Sequence, residues 1–143
     1  MALSHDGLHD GLTRISAPPY FYESLKREIS IANRSESPVT LIRYLLEPGP
    51  IYDETLIAFA DLISNSFRLE DHKARLGEKE FVVLVRGDEE LSQQISQRLI
   101  SRWAIEGTPD VVIAYSCARY AIGESALDVM NRLDHNEILR ATF

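Results

Sequence analysis

Two short charged stretches lie close together in this chain, Arg68-Leu69-Glu70-Asp71 and Gly77-Glu78-Lys79-Glu80. Arginine carries a planar fork of donors that meets phosphate oxygens, or any paired acceptor edge, with two parallel hydrogen bonds. A carboxylate three residues on accepts hydrogen bonds, so Arg68 and Asp71 together suit a ligand bearing both acceptors and donors. The same pair also suits an exposed ion pair near a helix end, worth about 0.3 kcal/mol. The second stretch is unusual for a tight turn. Hairpin tips favour Asn-Gly or Asp-Gly, which tolerate positive φ, whereas here three charges follow a single glycine.

Other reactive residue types are sparse. His5, His9, His72 and His135 have no metal-type partners at ligand spacing. The interval between His5 and His9 would suit one helix face, but Gly7 interrupts it and a terminal tail is expected there. Cys117 is the single cysteine, so no internal disulfide forms and no Cys/His zinc pattern exists. The chain has neither a Walker loop nor a GxGxxG stretch.

The elements that must position the charged stretches follow from periodicity. A first helix is expected from Pro18-Pro19, with Phe21, Leu25, Ile29 and Ala32 on one face. Residues 39–46 are rich in β-branched and aromatic residues and read as a strand, stopped by Glu47-Pro48-Gly49-Pro50. A second helix is expected over 53–67, with Leu56, Ile57, Ala60, Ile63 and Phe67 as its stripe. The hairpin follows. Its second strand, 81–85, is apolar throughout and so central. Asp88 is a good N-cap for a third helix lined by Leu91, Ile95, Leu99 and Trp103. A strand over 111–120 and a last helix over 125–133, with Leu127 and Met130 facing in, complete the order α-β-α-β-β-α-β-α. That order implies an α/β sandwich with one mixed central sheet containing a hairpin, flanked by helices.

The 143 residues suit one domain, and 45% hydrophobic with 26% charged residues is ordinary for a globular protein. A net charge of −7 argues against broad nucleic-acid binding but leaves room for a small anion held by local arginines. No apolar run approaches the roughly 20 residues of a membrane span, and no signal peptide opens the chain. Cytosol, or the cytosolic side of a membrane, is the expected compartment. Residues 1–9 read as a tail or linker, either a true start or the junction of a longer protein, and 10–143 as the domain.

Several of these stretches carry a resemblance. His9-Asp10-Gly11-Leu12-Thr13, followed by YFYESLKREISIANR, resembles the opening of GGDEF domains, the diguanylate cyclase family. ARLGEKEFVVLV is similar to that family's signature hairpin, in register at Arg75, Gly77, Glu80 and Phe81. VVIAYSCARYAI is similar to its late strand. The resemblance runs from Asp10 to about Arg140 and implies a nucleotidyl cyclase palm-like sheet. In active members it implies condensation of two GTP molecules to cyclic di-GMP, with divalent cations held by carboxylates.

The same alignment implies that this chain is no enzyme. The first metal aspartate aligns with Leu45, which cannot ligate a hard cation, and its companion with Glu47. Lys79 stands at a second metal contact, and Glu78 at the glycine that admits the nucleotide. The guanine-binding segment shrinks to residues 48–51, with Asp53 a lone match. Phe81 is expected as core and Glu80 as a solvated charge. Arg43 is expected at a strand edge or in the vacated metal site, and Trp103 in the core or a domain interface. No metal or other cofactor is expected.

The family's product-binding inhibitory site is marked by Arg-x-x-Asp just before the hairpin, and Arg68 and Asp71 stand at that offset. The resemblance adds a second arginine from the following helix, Arg98, with Arg102 one turn further. Arginine matches the O6 and N7 edge of guanine, and a carboxylate accepts from its N1 and N2 hydrogens. The expectation is a degenerate GGDEF-like receptor for cyclic di-GMP through Arg68, Asp71, Arg98 and Arg102. It would pass binding to a protein partner or attached signalling domain, with no nucleic-acid partner and no direct membrane insertion. Such receptors in bacteria commonly govern exopolysaccharide output, biofilm formation or motility. The alternative is an interaction scaffold that binds no nucleotide.

Overall fold

The computed structural model describes residues 4–140, the last through its backbone alone. Its elements are α1 (Pro18–Ser35), β1 (Thr40–Glu47), α2 (Asp53–Ser66), β2 (His72–Gly77), β3 (Glu80–Val85), α3 (Glu89–Glu106), β4 (Val112–Arg119), α4 (Ala126–His135) and β5 (Leu139–Arg140). Local chemistry sets most boundaries. Pro18 and Pro19 open α1, where their missing N–H groups cost nothing. The Asp88 carboxylate accepts from the Leu91 amide at 2.9 Å to start α3. Ser125 and Asp128 exchange reciprocal bonds at the start of α4, a capping box with Asp as its acid.

The sheet order is β2-β3-β1-β4-β5. Every pairing is antiparallel, where a mixed sheet was expected. The reason is topological. The crossovers β1-α2-β2 and β3-α3-β4 each join strands of like direction, but each leaves a one-strand gap that an antiparallel strand fills. This is the split βαβ arrangement, so no two parallel strands touch.

Both faces of the sheet are covered. On one, Tyr44, Phe81 and Val83 pack against Phe59, Leu99 and Trp103 from α2 and α3. Phe59 meets Phe81 and Trp103 edge-on, with ring centroids 5.2 and 5.4 Å apart. Trp103 is thus core, and its indole N–H donates to the Val111 carbonyl at 3.0 Å. Tyr44, fully buried, shares a 2.7 Å hydrogen bond with Ser96, and burial holds its phenol well above the usual value. On the other face Phe21, Leu25 and Ile29 of α1 and Val129 and Leu133 of α4 cover Leu41, Val82 and Leu84. Cys117 is part-buried, which pushes its thiol up to about 12.

Two apolar stripes are shifted from expectation. Leu127 is 69% exposed, and Val129 joins Met130 and Leu133 inside instead. Ile57 points outward and Phe59 inward. In each helix two apolar residues two positions apart compete for one face, and a two-residue step rotates a side chain to the other side. The segment read as a tail folds back from Ser4 onward. The Gly11 amide donates to the Ser4 carbonyl, and the Ala17 amide to that of Leu8. Residues 1–3 of that segment, and 141–143, lie outside the described residues. Ser16 bridges the outer edge of β2 at Lys73 and Arg75, so an otherwise open strand edge is covered.

Candidate functional site

The hairpin is tied down by charged groups at several points. Arg43 lies on β1, an interior strand and not an edge. Its Nε sits 2.8 Å from Glu80 Oε1, and Asp134 of α4 approaches to 3.8 Å. Both members of the Arg43–Glu80 pair are mostly shielded, so Glu80 is a paired, three-quarters buried carboxylate and not the solvated charge expected. At the tip, Lys79 Nζ donates to the Gly49 carbonyl at 3.1 Å, and the Lys79 carbonyl accepts from the Leu46 amide. These bonds draw the 48–51 loop onto the hairpin. Arg75 donates to the Glu78 carbonyl through Nε and Nη2, and its Nη1 lies 3.4 Å from both oxygens of buried Asp10. Thr13 completes that carboxylate through its amide and hydroxyl. Among the described residues no cluster of three or more His, Cys, Asp or Glu forms a metal-sized group.

The Arg68–Asp71 stretch leaves the end of α2. Phe67 is buried and lies tilted against Tyr44, with ring centroids 6.5 Å apart, which anchors the loop at its start. Asp71 closes it. Its Oδ2 accepts from the Arg68 amide at 3.0 Å, while its own amide donates to the Arg68 carbonyl at 3.1 Å. Its Oδ1 takes a longer bond, 3.4 Å, from the Arg86 amide. Asp71 is only 4% exposed, so its carboxylate faces the protein rather than the solvent.

Arg68 is the opposite case. Its guanidinium is 63% exposed and reaches only the margin of an ion pair with Glu70, at 4.0 Å. Leu69 beside it is 97% exposed. Arg98 and Arg102 project from α3 into one groove of about 240 Å³, shared with Asn65 and Ser66 at the end of α2. Ser66 is two residues before Arg68 in the chain, but Arg68 is not among the residues that line the groove. Arg102 also pairs with Glu106 at 3.2 Å, four residues on. The structure therefore brings Arg98 and Arg102 together at the end of α2, leaves Arg68 outside their groove, and turns Asp71 inward.

Sequence reasoning missed the group behind that loop. Glu28 of α1 is buried, and Arg86 grips it with two bonds of 2.7 and 3.0 Å. His72 Nε2 lies 3.4 Å away. The Arg86 guanidinium, followed by His72, holds the Glu28 carboxyl below its ordinary range against the effect of burial. The available signal was positional: Glu28 falls three residues after Leu25, on the apolar face of α1, where a charge demands a partner.

No family model matches the sequence. Over 111 residues the chain is 30% identical to the diguanylate cyclase DgcS of Shewanella oneidensis, covering 69% of this chain and 36% of the relative. It thus spans little more than a third of that relative's length. Among solved structures, the GGDEF domain of DgcB from Caulobacter crescentus, in complex with c-di-GMP, superposes with a TM-score of 0.83. The identity is 18%, over 94% of this chain and 88% of that one. The FimX GGDEF domain of Pseudomonas aeruginosa gives 0.77 at 23% identity, over 90% of each. The fold is that of a GGDEF domain, with its antiparallel sheet and four main helices.

Proposed function

We propose that this GGDEF-fold chain is catalytically silent and serves as a cyclic di-GMP receptor, with Arg68, Arg98 and Arg102 as its cationic contacts. The observation that carries this reading is the arginine-lined groove at the end of α2, in a chain whose net charge is −7. Arginine forks suit both guanine edges and phosphate oxygens. Asp71 acts first as the anchor of the Arg68 backbone. Its carboxylate turns toward a guanine by lengthening the 3.4 Å Arg86 bond as it accepts ligand donors. Relatives support the ligand class, since the DgcB domain was solved with c-di-GMP.

Silence at the other end of the domain rests on chemistry. A divalent cation needs a set of free oxygens. Here Leu45 offers none, Lys79 brings an ammonium, and Arg43 already neutralises Glu80. The residues present do not fit the cation that cyclase chemistry requires. A partner protein or attached domain would receive the signal, with exopolysaccharide or biofilm control as the bacterial output of the same proposal.

Titration with cyclic di-GMP tests the receptor reading, and incubation with GTP and Mg²⁺ or Mn²⁺ tests the silence. A second reading, an interaction scaffold without a nucleotide, is favoured by the inward turn of Asp71. It gains if the folded protein takes up no ligand.

A further inference from the structure

The bonds around Asp71 do not stop at the loop. Asp71 holds the Arg68 amide through one oxygen and the Arg86 amide through the other. The Arg86 side chain then clamps the two oxygens of Glu28 at 2.7 and 3.0 Å. His72, next to Asp71 in sequence, closes on the same Glu28 oxygen at 3.4 Å. Lys73 donates its ammonium to the Arg68 carbonyl from the following position. A continuous path of polar contacts therefore runs from the backbone of Arg68 to the middle of α1.

Burial gives that path its stiffness. The side chain of Glu28 is 5% exposed and Asp71 is 4% exposed, whereas that of Arg86 is 51% exposed. A buried carboxylate deprived of its cation is costly, so Glu28 holds Arg86 in one place. Arg86 in turn fixes the amide that Asp71 accepts. Two anchors, at either end of the Asp71 carboxylate, define where the Arg68 loop can sit.

We propose that Glu28 and Arg86 are positioning residues for the Arg68 loop, and that they make α1 the element that senses whether this loop is engaged. The positioning half stands on the geometry of the free protein. The sensing half rests on the receptor reading above.

The path also explains a division of labour. Drawing Asp71 toward a ligand stretches the 3.4 Å contact with the Arg86 amide before it disturbs the shorter bonds. Strain then passes to Arg86 and its two-pronged grip on α1. Among the described residues no comparable path joins the loop to α4, whose Arg132 donates to Glu124 just before the helix and to the Arg119 carbonyl. Among the described residues, α1 is the helix wired to the loop by charge.

Amide hydrogen exchange on the whole chain tests both halves. In the free protein, Glu28→Gln should speed exchange at the Arg68 amide at least fivefold, while the amides of β1 and β4 change less than twofold. Arg86→Gln retains the peptide N–H that Asp71 accepts and should act the same way, so it serves if Glu28→Gln does not fold. Uniform acceleration across the sheet, or an unchanged Arg68 amide in a folded variant, overturns the positioning role. With cyclic di-GMP bound, the wild type should gain protection around Glu28 as well as at 68–73, and Arg86→Gln should lose the first and keep the second. Binding without any change in α1 overturns the sensing role. Absence of binding overturns the receptor reading and the sensing role with it, and leaves the free-protein measurement to decide the positioning role.

Discussion

Arg43 Nε stands 2.8 Å from Glu80 Oε1, across the interior strand β1 and the start of β3, with both side chains at least three-quarters shielded. In the function proposed above, this pair stands where catalysis would need carboxylates free for metal. Its members face α1 and α4, and Asp134 adds a more distant third charge. A double-mutant cycle with Arg43→Met and Glu80→Gln should give a coupling of about 1 kcal/mol, above the usual exposed pair because solvent screens it less. Urea unfolding measures it, and a coupling near zero would reassign Arg43 to simple packing.

Asp10 and Arg75 form a deeper pair, 1% and 5% exposed, with Thr13 and the Glu78 carbonyl saturating what remains. Removing one buried partner strands the other. Asp10→Ala should therefore cost roughly 3–5 kcal/mol. The measurement is the shift of the urea midpoint at constant slope, and a change under ~1 kcal/mol would mean that the N-terminal loop detaches without consequence for the hairpin.

Gly107 ends α3 against the face of Trp103. A Cβ placed there would overlap the indole Cδ2. That ring is 5% exposed, meets Phe59 edge-on and donates to the Val111 carbonyl, which together hold it in place. Gly107→Ala should destabilise by about 1–3 kcal/mol through overpacking, with a matching change in tryptophan fluorescence; an unchanged midpoint and emission would show the ring free to move.

Glu28 sets an acid limit. Arg86, and then His72, lower its pKa from an ordinary 4.5. The unfolded chain therefore takes up this proton at higher pH than the folded one. The contribution is complete above about pH 4.5 and is lost as pH falls through the depressed folded value. Glu28→Gln should flatten the stability profile in that acid window. An identical acid slope in the variant would assign it to other carboxylates, such as Glu124 beside Arg132.

The elements were legible because their signals are local: proline at the start of α1, a carboxylate cap at Asp88, and alternation or apolar runs in the strands. Sheet direction was not, because the sequence of elements is the same whether or not a strand is inserted between two parallel ones. Ile57 and Leu127 misled because each has an apolar neighbour two positions on, and only tertiary packing chooses between them. Arg68, Arg98 and Arg102 are proposed from resemblance and residue type. The inward turn of Asp71 was not legible, since its partners are backbone amides at Arg68 and Arg86. Arg43–Glu80 and Glu28–Arg86 join residues 37 and 58 positions apart, and no local pattern announces such pairs.

The central claim is that exposed arginines beside α2 hold cyclic di-GMP. Calorimetric titration of the folded chain should show saturable, micromolar binding. Each of Arg68→Ala and Arg98→Ala should weaken it roughly 10- to 100-fold, the loss of one charged hydrogen-bonding contact. Saturable binding that both variants retain unchanged, or no heat at high ligand concentration with the protein folded, would contradict it.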